Sequence, residues 1–483
     1  MKRLPSLLVC LALNIAFGPA QAEEFYFATE VNGVTCGYTR IVTSPFLQDG
    51  RELLQLKQES LTRMIVLGRP VDNRLMLTYH IDPASGRFVF HDSLIIHGAT
   101  RLESSIQIEG NRARIISGKD QQLVTLPEGV VLANTLFYPH IFEDFIGRGL
   151  KEMTYPIFDG RDGTVQETTF SRVSQETLQL AGRKVATVIV DSLNRRTGQR
   201  MRLWLETSRG IAVKKAYPGN QLSYLTDAGV VGRIQAANMD PSILTPSNRT
   251  VADPRAITYL KARLLLEPTG LWVSAESLSV PGQRFSGTVT DNRVEGVFEV
   301  EHSRYDGSGA PPFPPDFGGR AELKEFLDTN DMIQSNDPLL AAAAREITLG
   351  AKDSWEAVRL LGRWVADNIR GAIPGGITAR GTYDQRAGDC GGHSFLLTAF
   401  CRSLGIPARV VWGCVHTGNS FGQHGWNEVF MGRAGWIPID ATMSEIDFLD
   451  SGHVRIGHYQ SLATGLNLRR GEVLEFRLAP AHR

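Results

Sequence analysis

Residues 386–394 read RAGDCGGHS, and an apolar run follows them as far as Leu404. This pattern predicts a helix that begins at Asp389 or Cys390, where the partial positive charge of a helix N-terminus favours a thiolate. Glycine is a poor helix former, so we expect the two glycines after Cys390 to let a substrate backbone come close. The segment by itself also fits a buried structural cysteine, because free cysteines are among the most buried residues.

Residues 422–440 read as an antiparallel hairpin with a turn between its two strands. If Phe430 pairs with Trp436, then His424 and Asp440 are diagonal neighbours on one face, with Cα atoms about 7–8 Å apart. A histidine and an aspartate that lean together reach each other over that distance. A register slip of one residue would place them on opposite faces, so the expectation depends on this register.

Cys390, His424 and Asp440 are the residue types that a cysteine nucleophile requires. A thiol is mostly neutral at pH 7, so an adjacent imidazole must take its proton, and a carboxylate on the other ring nitrogen fixes the tautomer. Taken singly, His424 is more often a structural histidine and Asp440 a residue at a strand end. The three together predict a catalytic triad.

Four motifs occur in order along this part of the chain. They are GDCGGH at 388–393, GIPARV at 405–410, HGWNEV at 424–429 and WIPIDAT at 436–442. Their combination resembles the core of the transglutaminase-like superfamily, in particular its bacterial exported branch of cysteine peptidases. The resemblance covers roughly residues 320–460.

This resemblance implies a papain-like α+β fold, with the nucleophile Cys390 on a helix and with His424 and Asp440 on adjacent strands. It also implies acyl chemistry on amide or peptide bonds through a Cys390 thioester. Three positions depart from the family's usual residues. The family often has Glu where this chain has Gly392, Ala where it has Gly425 and Pro where it has Ala441. None of these changes removes a chemical group of the triad, but they leave the substrate class open.

The donors that would stabilise an oxyanion are less defined by the sequence. The backbone N–H of Cys390 is one candidate, and either Tyr383 or Gln385 is a candidate for the second donor. Gln423 and Trp426 are candidates for an acyl pocket, and both equally fit a packing role.

The rest of the chain divides by composition. Short apolar runs separated by Gly- and Asn-containing turns predict a mainly antiparallel β domain at 23–240, and a β-rich intermediate domain follows at 256–306. Proline-containing segments at 239–255 and 308–319 have the composition of linkers. The transglutaminase-like catalytic domain is predicted at 320–483.

Helical periodicity begins after Arg320. Asp337 followed by Pro338 predicts one helix start, because aspartate is a good N-cap and proline suits the first turn. Asp353 with Glu356 three residues later resembles a capping box and predicts another start. The apolar side chains of these helices are expected to pack in the core.

Residues 1–22 have the pattern of a signal peptide, with a basic start, an apolar stretch and an Ala-x-Ala cleavage site. The apolar stretch is too short to span a bilayer. A lipoprotein signal at Cys10 is an alternative that the bulky preceding Val9 disfavours. We therefore expect export across the inner membrane, to a bacterial periplasm.

Composition excludes some classes of partner. Lys plus Arg and Asp plus Glu both number 51, a balance that does not favour nucleic acid or an anionic membrane. The cysteines lack C-x-x-C spacing, and no His, Cys and carboxylate set has metal-ligand spacing, so we expect no metal and no cofactor. We expect a protein or peptide substrate and no membrane span, whereas the sequence does not indicate an oligomeric state.

The acceptor of the acyl group decides the predicted reaction. Water would give a peptidase or amidase, which is our preferred interpretation, whereas an amine would give cross-linking by transglutamination. A third possibility is a non-catalytic binding or scaffold protein of the cell envelope, which the intact triad disfavours.

Overall fold

A computed structural model gives the fold of residues 22–118, 120–160, 163–194, 196–302, 304–317, 319–459 and 464–480. Of the described residues, 52% lie in strands and 17% in helices. Its N-terminal part is all β, so the predicted combination of helices and strands describes the C-terminal part alone. The predicted signal peptide lies outside the described residues, apart from its last position.

Long strands joined by tight turns make up the N-terminal part. They are β1 (Glu23–Val31), β2 (Val34–Gln48), β3 (Arg51–Val66), β4 (Arg69–Ile81), β5 (Phe88–His97), β6 (Thr100–Glu109), β7 (Arg112–Ser117), β8 (Asp120–Thr125), β9 (Glu152–Asp159), β10 (Thr164–Leu180), β11 (Arg183–Asn194), β12 (Arg200–Glu206), β13 (Ala212–Tyr217) and β14 (Gln221–Thr226). A short helix, α1 (Pro139–Phe142), lies between β8 and β9.

These strands form one antiparallel sheet in the order β8-β7-β6-β5-β4-β3-β2-β1-β14-β13-β12-β11-β10-β9. Strand β1 lies at the centre of the sheet, and β2 to β8 follow outward to one edge. The chain then crosses to the other edge at β9, and β10 to β14 lead back to β1. Asn32 and Gly33 between β1 and β2 have φ angles of 51° and 80°. Positive φ at both positions is the geometry of a two-residue hairpin turn, which asparagine and glycine tolerate best.

The sheet curls around a large apolar core, and a second buried cluster packs on strands β9 to β13. Phe27 of β1, Ile115 of β7, Phe158 of β9 and Trp204 of β12 belong to one buried cluster although their strands lie far apart in the sheet order. A flat sheet would keep these side chains apart, so the strand twist must bring them together. The prediction of a largely antiparallel sheet for this region agrees with the strand pairing.

The rest of the chain contains both strands and helices. They are β15 (Ala237–Asn238), α2 (Asp240–Ile243), β16 (Leu244–Pro246), β17 (Ile257–Thr269), β18 (Gln283–Thr290), β19 (Arg293–Val300), α3 (Pro338–Ile347), α4 (Ser354–Asn368), β20 (Arg370–Gly376), α5 (Ala379–Gln385), β21 (Ala387–Gly388), α6 (Cys390–Ser403), β22 (Ala408–His416), β23 (Ser420–Phe430), β24 (Trp436–Ile439), β25 (His453–His458) and β26 (Gly465–Leu478).

Two antiparallel sheets support the C-terminal part. One has the order β16-β23-β22-β25, with β24 also paired to β23, and the other has the order β18-β19-β17-β26. The second sheet joins strands from the segment predicted as an intermediate domain, 256–306, to the end of the segment predicted as the catalytic domain, 320–483. Because the two segments share one sheet, strand pairing does not separate them at the boundary that composition indicates. The domain boundaries stay a prediction.

The helices begin where their caps predict. The Asp337 side chain accepts hydrogen bonds from the first backbone N–H groups of α3, and Asp353 accepts one from Glu356 N at the start of α4. The Glu356 side chain accepts a 2.8 Å hydrogen bond from the backbone N of Lys352, the residue before the cap. Both predicted helix starts are confirmed. Within the described part of the chain, no helix has the length and apolar character needed to cross a membrane.

The N-terminal sheet contacts the helical part beside the start of α6. Thr100, at the turn between β5 and β6, is buried, and its Oγ1 accepts a hydrogen bond of 3.3 Å from Gln385 Nε2. The same oxygen lies 3.5 Å from the backbone N of Ile377. Because Gln385 ends the helix that precedes the nucleophile segment, the two parts of the chain meet next to it.

Candidate active site

Helix α6 places Cys390 at its first position, as its sequence predicts. The Asp389 side chain caps the helix by accepting a 2.9 Å hydrogen bond from Gly392 N. The helix is buried from Gly391 to Cys401, whereas Cys390 itself is partly exposed. A partly exposed cysteine at a buried helix's N-terminus meets positive backbone charge and stays open to a substrate.

The two glycines after the cysteine have different surroundings. A Cβ atom on Gly392 would lie 2.5 Å from Gly376 O and 2.7 Å from Thr382 Oγ1, which is too close for any side chain. On Gly391 the nearest atom would be Asp389 Oδ1 at 3.2 Å. The expectation that both glycines serve substrate approach is therefore wrong for Gly392, because it is close packing of α6 against its neighbours that requires glycine there.

The predicted hairpin forms in the predicted register. Phe430 pairs with Trp436, and the ladder continues to the pair of Asn427 with Ile439. Asp440 follows the last residue of β24, so the ladder does not itself carry it to His424. A turn does this instead, since Asp440 Oδ1 accepts backbone N–H bonds of 2.7 Å and 3.2 Å from the two residues at 442 and 443.

The structure brings the three predicted triad residues together. His424 Nε2 lies 2.6 Å from Asp440 Oδ2, and both side chains are buried. The Cys390 thiol adjoins the same imidazole. Since Asp440 occupies Nε2, the nitrogen that remains for the thiol is Nδ1. The imidazole thus stands between a carboxylate and a thiol, the arrangement in which it exchanges a proton with sulfur.

Electrostatic interactions favour the charged forms of both His424 and Asp440. Burial acts to lower the pKa of His424, but the Asp440 carboxylate and the Cys390 thiol raise it to about 9. Burial acts to raise the pKa of Asp440, but the His424 and His453 imidazoles hold it far below its usual range. His424 is therefore an imidazolium over the neutral pH range, and Asp440 is a carboxylate.

A second histidine, which the sequence analysis missed, also contacts Asp440. His453 of β25 is fully buried, and its Nε2 lies 3.2 Å from Asp440 Oδ2. Its Nδ1 lies 3.1 Å from Asp450 Oδ2. Arg255 Nη1 lies 2.5 Å from that same Asp450 oxygen and 3.6 Å from Glu445 Oε1. No local motif marks these residues, because they come from separate loops and strands.

Two further carboxylates, Glu428 and Asp447, and the oxyanion-donor candidate Tyr383 have structural partners. Glu428 is bound by the guanidinium groups of Arg409 and Arg455, and Asp447 is bound by two arginines of α4. Neither carboxylate is therefore free to replace Asp440 beside His424. Tyr383 stacks on a tryptophan ring of α4.

The polar residues proposed for an oxyanion donor or an acyl pocket are also engaged. Gln385 donates to Thr100, as described above, and Gln423 Oε1 accepts a 2.7 Å hydrogen bond from the backbone N of Leu466. Trp426 is 1% exposed. For Gln423 and Trp426 these contacts favour the packing role over the pocket role.

Two sets of buried groups have the composition of metal ligands. His424, Asp440 and His453 form one set, and Glu445, Asp450 and His453 form the other, each with ligand atoms within 4.8 Å of one another. In the first set both imidazoles lie at hydrogen-bond distance from Asp440 Oδ2. In the second set His453 Nδ1 lies 3.1 Å from Asp450 Oδ2 and 3.9 Å from Glu445 Oε2, and the Arg255 cation lies beside both carboxylates. We interpret them as hydrogen-bonded clusters, and a metal-free reaction stays a prediction.

Comparison with known proteins identifies the segment that carries the site. Residues 341–441 match the model of the family described as the Transglutaminase-like superfamily, which confirms the resemblance seen in the motifs. No match is found among curated protein sequences. The family match includes Cys390, His424 and Asp440.

Three solved structures that match part of this chain are distant from it in sequence. A Cytophaga hutchinsonii protein proposed to be a cysteine protease is 17% identical, covering 46% of this chain and 90% of its own, with a TM-score of 0.35. A Brucella abortus protein from a domain family of unknown function is 13% identical, covering 42% and 94%, with a TM-score of 0.30. The periplasmic domain of TgpA from Pseudomonas aeruginosa is 15% identical, covering 42% and 88%, with a TM-score of 0.29.

Proposed function

We propose that this protein is a cysteine-nucleophile enzyme that acts on amide bonds of protein or peptide substrates, with Cys390, His424 and Asp440 as its catalytic triad. The observation that carries the proposal is the buried 2.6 Å contact between His424 and Asp440, together with the interaction of the partly exposed Cys390 with the same imidazole. A structural cysteine has no need of an imidazole held by a buried carboxylate.

The proposed reaction passes through an acyl-enzyme. The Cys390 thiolate attacks the amide carbonyl carbon, and the tetrahedral intermediate collapses to a thioester as His424 gives its proton to the leaving amine. His424 then takes a proton from water, which attacks the thioester and releases the acid and the free thiol. Asp440 holds the imidazole in orientation and balances its charge through both halves.

Water is the acceptor that we propose, which makes the protein a peptidase or amidase. The motifs resemble the bacterial exported branch of the superfamily, and the predicted signal at 1–22 accords with a place in the periplasm. Transfer to an amine uses the same thioester and the same three residues, so the acceptor has to be measured.

Alkylation of Cys390 tests the triad without a known substrate. At about pH 6 an ordinary thiol, with a pKa of about 8.5, is almost wholly protonated and reacts slowly with iodoacetamide. We expect fast alkylation of Cys390, detected by mass spectrometry, and slow alkylation in His424→Ala. Cys36, Cys401 and Cys414 are buried and serve as internal controls. Equally slow alkylation of Cys390 in both proteins would show a structural thiol and reject the enzyme proposal.

The acceptor is tested on a mixture of unrelated unfolded proteins with and without a fluorescent primary amine. Hydrolysis predicts new peptide ends or free ammonia that depend on Cys390, and no incorporated amine. Covalent incorporation of the amine that is lost in Cys390→Ala would instead identify an acyltransferase.

A further inference from the structure

Two imidazoles share one carboxylate oxygen in this site. Asp440 Oδ2 lies 2.6 Å from His424 Nε2 and 3.2 Å from His453 Nε2. The other oxygen of Asp440 is occupied by two backbone N–H groups. Each oxygen of the Asp440 carboxylate therefore has two hydrogen-bond partners. Without His453, Oδ2 would keep a single partner, His424, and could turn away from it.

The contacts of His453 determine its protonation state. Its Nε2 faces the Asp440 carboxylate, and its Nδ1 lies 3.1 Å from Asp450 Oδ2 and 3.2 Å from Asp450 O. Both ring nitrogens thus face only acceptors, and two of these acceptors are carboxylates. A neutral imidazole carries a single N–H. Its other nitrogen would place a lone pair against the lone pairs of an oxygen, so His453 must carry a proton on each ring nitrogen.

Charged groups surround His453 on every element packed against it. Asp440 follows β24, Glu445 and Asp450 lie in the loop before β25, and Arg255 precedes β17 and pairs with Asp450 at 2.5 Å. His424 lies on β23, with its ring centroid 5.6 Å from that of His453.

His302, after β19, touches the same histidine only through the backbone. Its Nε2 lies 3.2 Å from the carbonyl oxygen of His453. Around His453 the Asp440 and Asp450 carboxylates face the cations Arg255 and His424, whereas burial and the nearby Asp450 raise the pKa of Glu445 to about 8. An imidazolium at His453 is therefore stabilised by its two direct carboxylate partners, Asp440 and Asp450.

We propose that His453 is a positioning residue of the reaction proposed above, an imidazolium fixed between Asp450 and Asp440 that holds Asp440 Oδ2 on His424 and partly offsets its charge. The inference rests on the proposed function, since it assigns His453 a role through the triad. His453 does not touch the substrate or the thiol in this role. The site is then a chain of alternating charges that runs from the thiolate through His424, Asp440 and His453 to Asp450.

Two effects follow from this arrangement. The orientation of Asp440 no longer depends on a single contact with a histidine that changes its own charge during the reaction. The positive charge of His453 also reduces the electrostatic pull of Asp440 on protons at His424 and Cys390. Removing that charge leaves more negative charge uncompensated beside the thiol and the imidazole, so fast alkylation of Cys390 should require a higher pH.

The test compares the pH profile of Cys390 alkylation in the full-length protein and in two variants. In His453→Gln the amide nitrogen replaces the Nε2 donor to Asp440 without a charge. In the control His302→Gln a neighbouring histidine is changed that contacts His453 only through its backbone oxygen. We expect the alkylation midpoint to rise by about one pH unit in His453→Gln, which is about tenfold slower alkylation on the acid limb, and to stay unchanged in His302→Gln.

The outcomes separate this inference from the proposed function. Slow alkylation of the unsubstituted protein at every acidic pH would reject the triad itself. Fast alkylation of that protein, with the same midpoint in His453→Gln, would leave the triad standing and reject the role of His453. A lower melting temperature alone, with no change in midpoint, is the result that a merely structural histidine predicts and also overturns the inference.

A spectroscopic measurement keeps the inference testable if His453→Gln does not fold. In the intact protein labelled with ¹⁵N-histidine, the ring nitrogens of His453 are expected to give the imidazolium pattern at about pH 8, where an ordinary histidine with a pKa of about 6.5 is neutral. A neutral, single-tautomer pattern for His453 at that pH would overturn the proposal.

Discussion

His424 Nε2 lies 2.6 Å from Asp440 Oδ2 although the strand ladder between β23 and β24 ends before it reaches either residue. The turn after β24 makes the contact, because Asp440 Oδ1 is held by two backbone N–H groups and its second oxygen is left to face the imidazole. The orientation of the carboxylate is therefore set by the backbone as well as by its histidine partners.

Cys390→Ala and His424→Ala should each abolish turnover. Cys390→Ala removes the proposed nucleophile, and His424→Ala removes the group that takes its proton. In each variant the rate should fall by about 10³-fold or more. The fold should persist in Cys390→Ala, because this side chain is partly exposed and Asp389 caps the helix independently. The measurement is peptide-bond cleavage, or alkylation for His424→Ala, together with thermal melting.

Cys401→Ala is the matched control on the same helix. Cys401 is fully buried, and burial raises the pKa of its thiol to about 12. This variant should keep full turnover and lose about 1 kcal/mol of stability through a small cavity. Turnover that survives in Cys390→Ala but is lost in Cys401→Ala would mean that the wrong cysteine has been chosen.

Asp440→Asn should reduce turnover by about 10²- to 10⁴-fold, less than the loss of Cys390. An amide still holds the ring, but it stabilises the wrong tautomer and does not balance an imidazolium. The control is Asp447→Asn, whose carboxylate binds arginines on α4 and should leave the rate nearly unchanged. A normal rate for Asp440→Asn from pH 5 to 8 would remove Asp440 from the mechanism.

Gly392→Ala should destabilise the protein by about 1–3 kcal/mol, because the new Cβ would lie 2.5 Å from a backbone oxygen. Gly391→Ala is the control one residue earlier, where the nearest atom would be at 3.2 Å. There the better helix propensity of alanine should balance or exceed the crowding. Denaturant unfolding of the two variants measures this difference, and equal stabilities would contradict the packing explanation.

The pH dependence of stability should report His453. Burial acts to lower the pKa of His453, but Asp450 and Asp440 raise it to about 10 from 6.5. A raised pKa in the folded state contributes stability that is fully present below pH 6.5 and is lost as the pH rises towards 10. In a Cys390→Ala background the melting temperature should fall over this range, and the added His453→Gln change should flatten the fall. Parallel curves would contradict the assignment.

Turnover should be unaffected by a chelator. The proposed triad supplies nucleophile, base and orienting carboxylate from the protein, so no step requires a metal ion. The measurement is the cleavage rate before and after dialysis against EDTA, with calcium and zinc added back separately. A rate that disappears on dialysis and returns with one of these ions would contradict the prediction.

Much of the site could be predicted because its signals are local. The start of α6 follows from Asp389 as a cap three residues before Gly392, and the register of the hairpin follows from its short turn and its alternating side chains. The chemistry of a thiol, an imidazole and a carboxylate then indicated the triad. Their approach is a property of the structure, and their catalytic role is the proposal that the experiments above address.

Other features depended on segments that are distant in sequence. His453 reaches Asp440 only because β25 pairs with β22, and Arg255 reaches Asp450 from a stretch whose composition resembled a linker. The requirement for glycine at 392 arises from Gly376 and Thr382, and the contact between Thr100 and Gln385 joins the two parts of the chain.

The sequence by itself therefore determined the helix start, the hairpin register and the three residues that we propose as nucleophile, base and orienting carboxylate. Capping and strand alternation act between residues two to four positions apart, so they can be read along the chain. Only the tertiary structure decided which buried charges neutralise one another around Asp440. A buried charge is stabilised by whichever partners the packing brings within a few ångströms, and no short-range pattern encodes that choice.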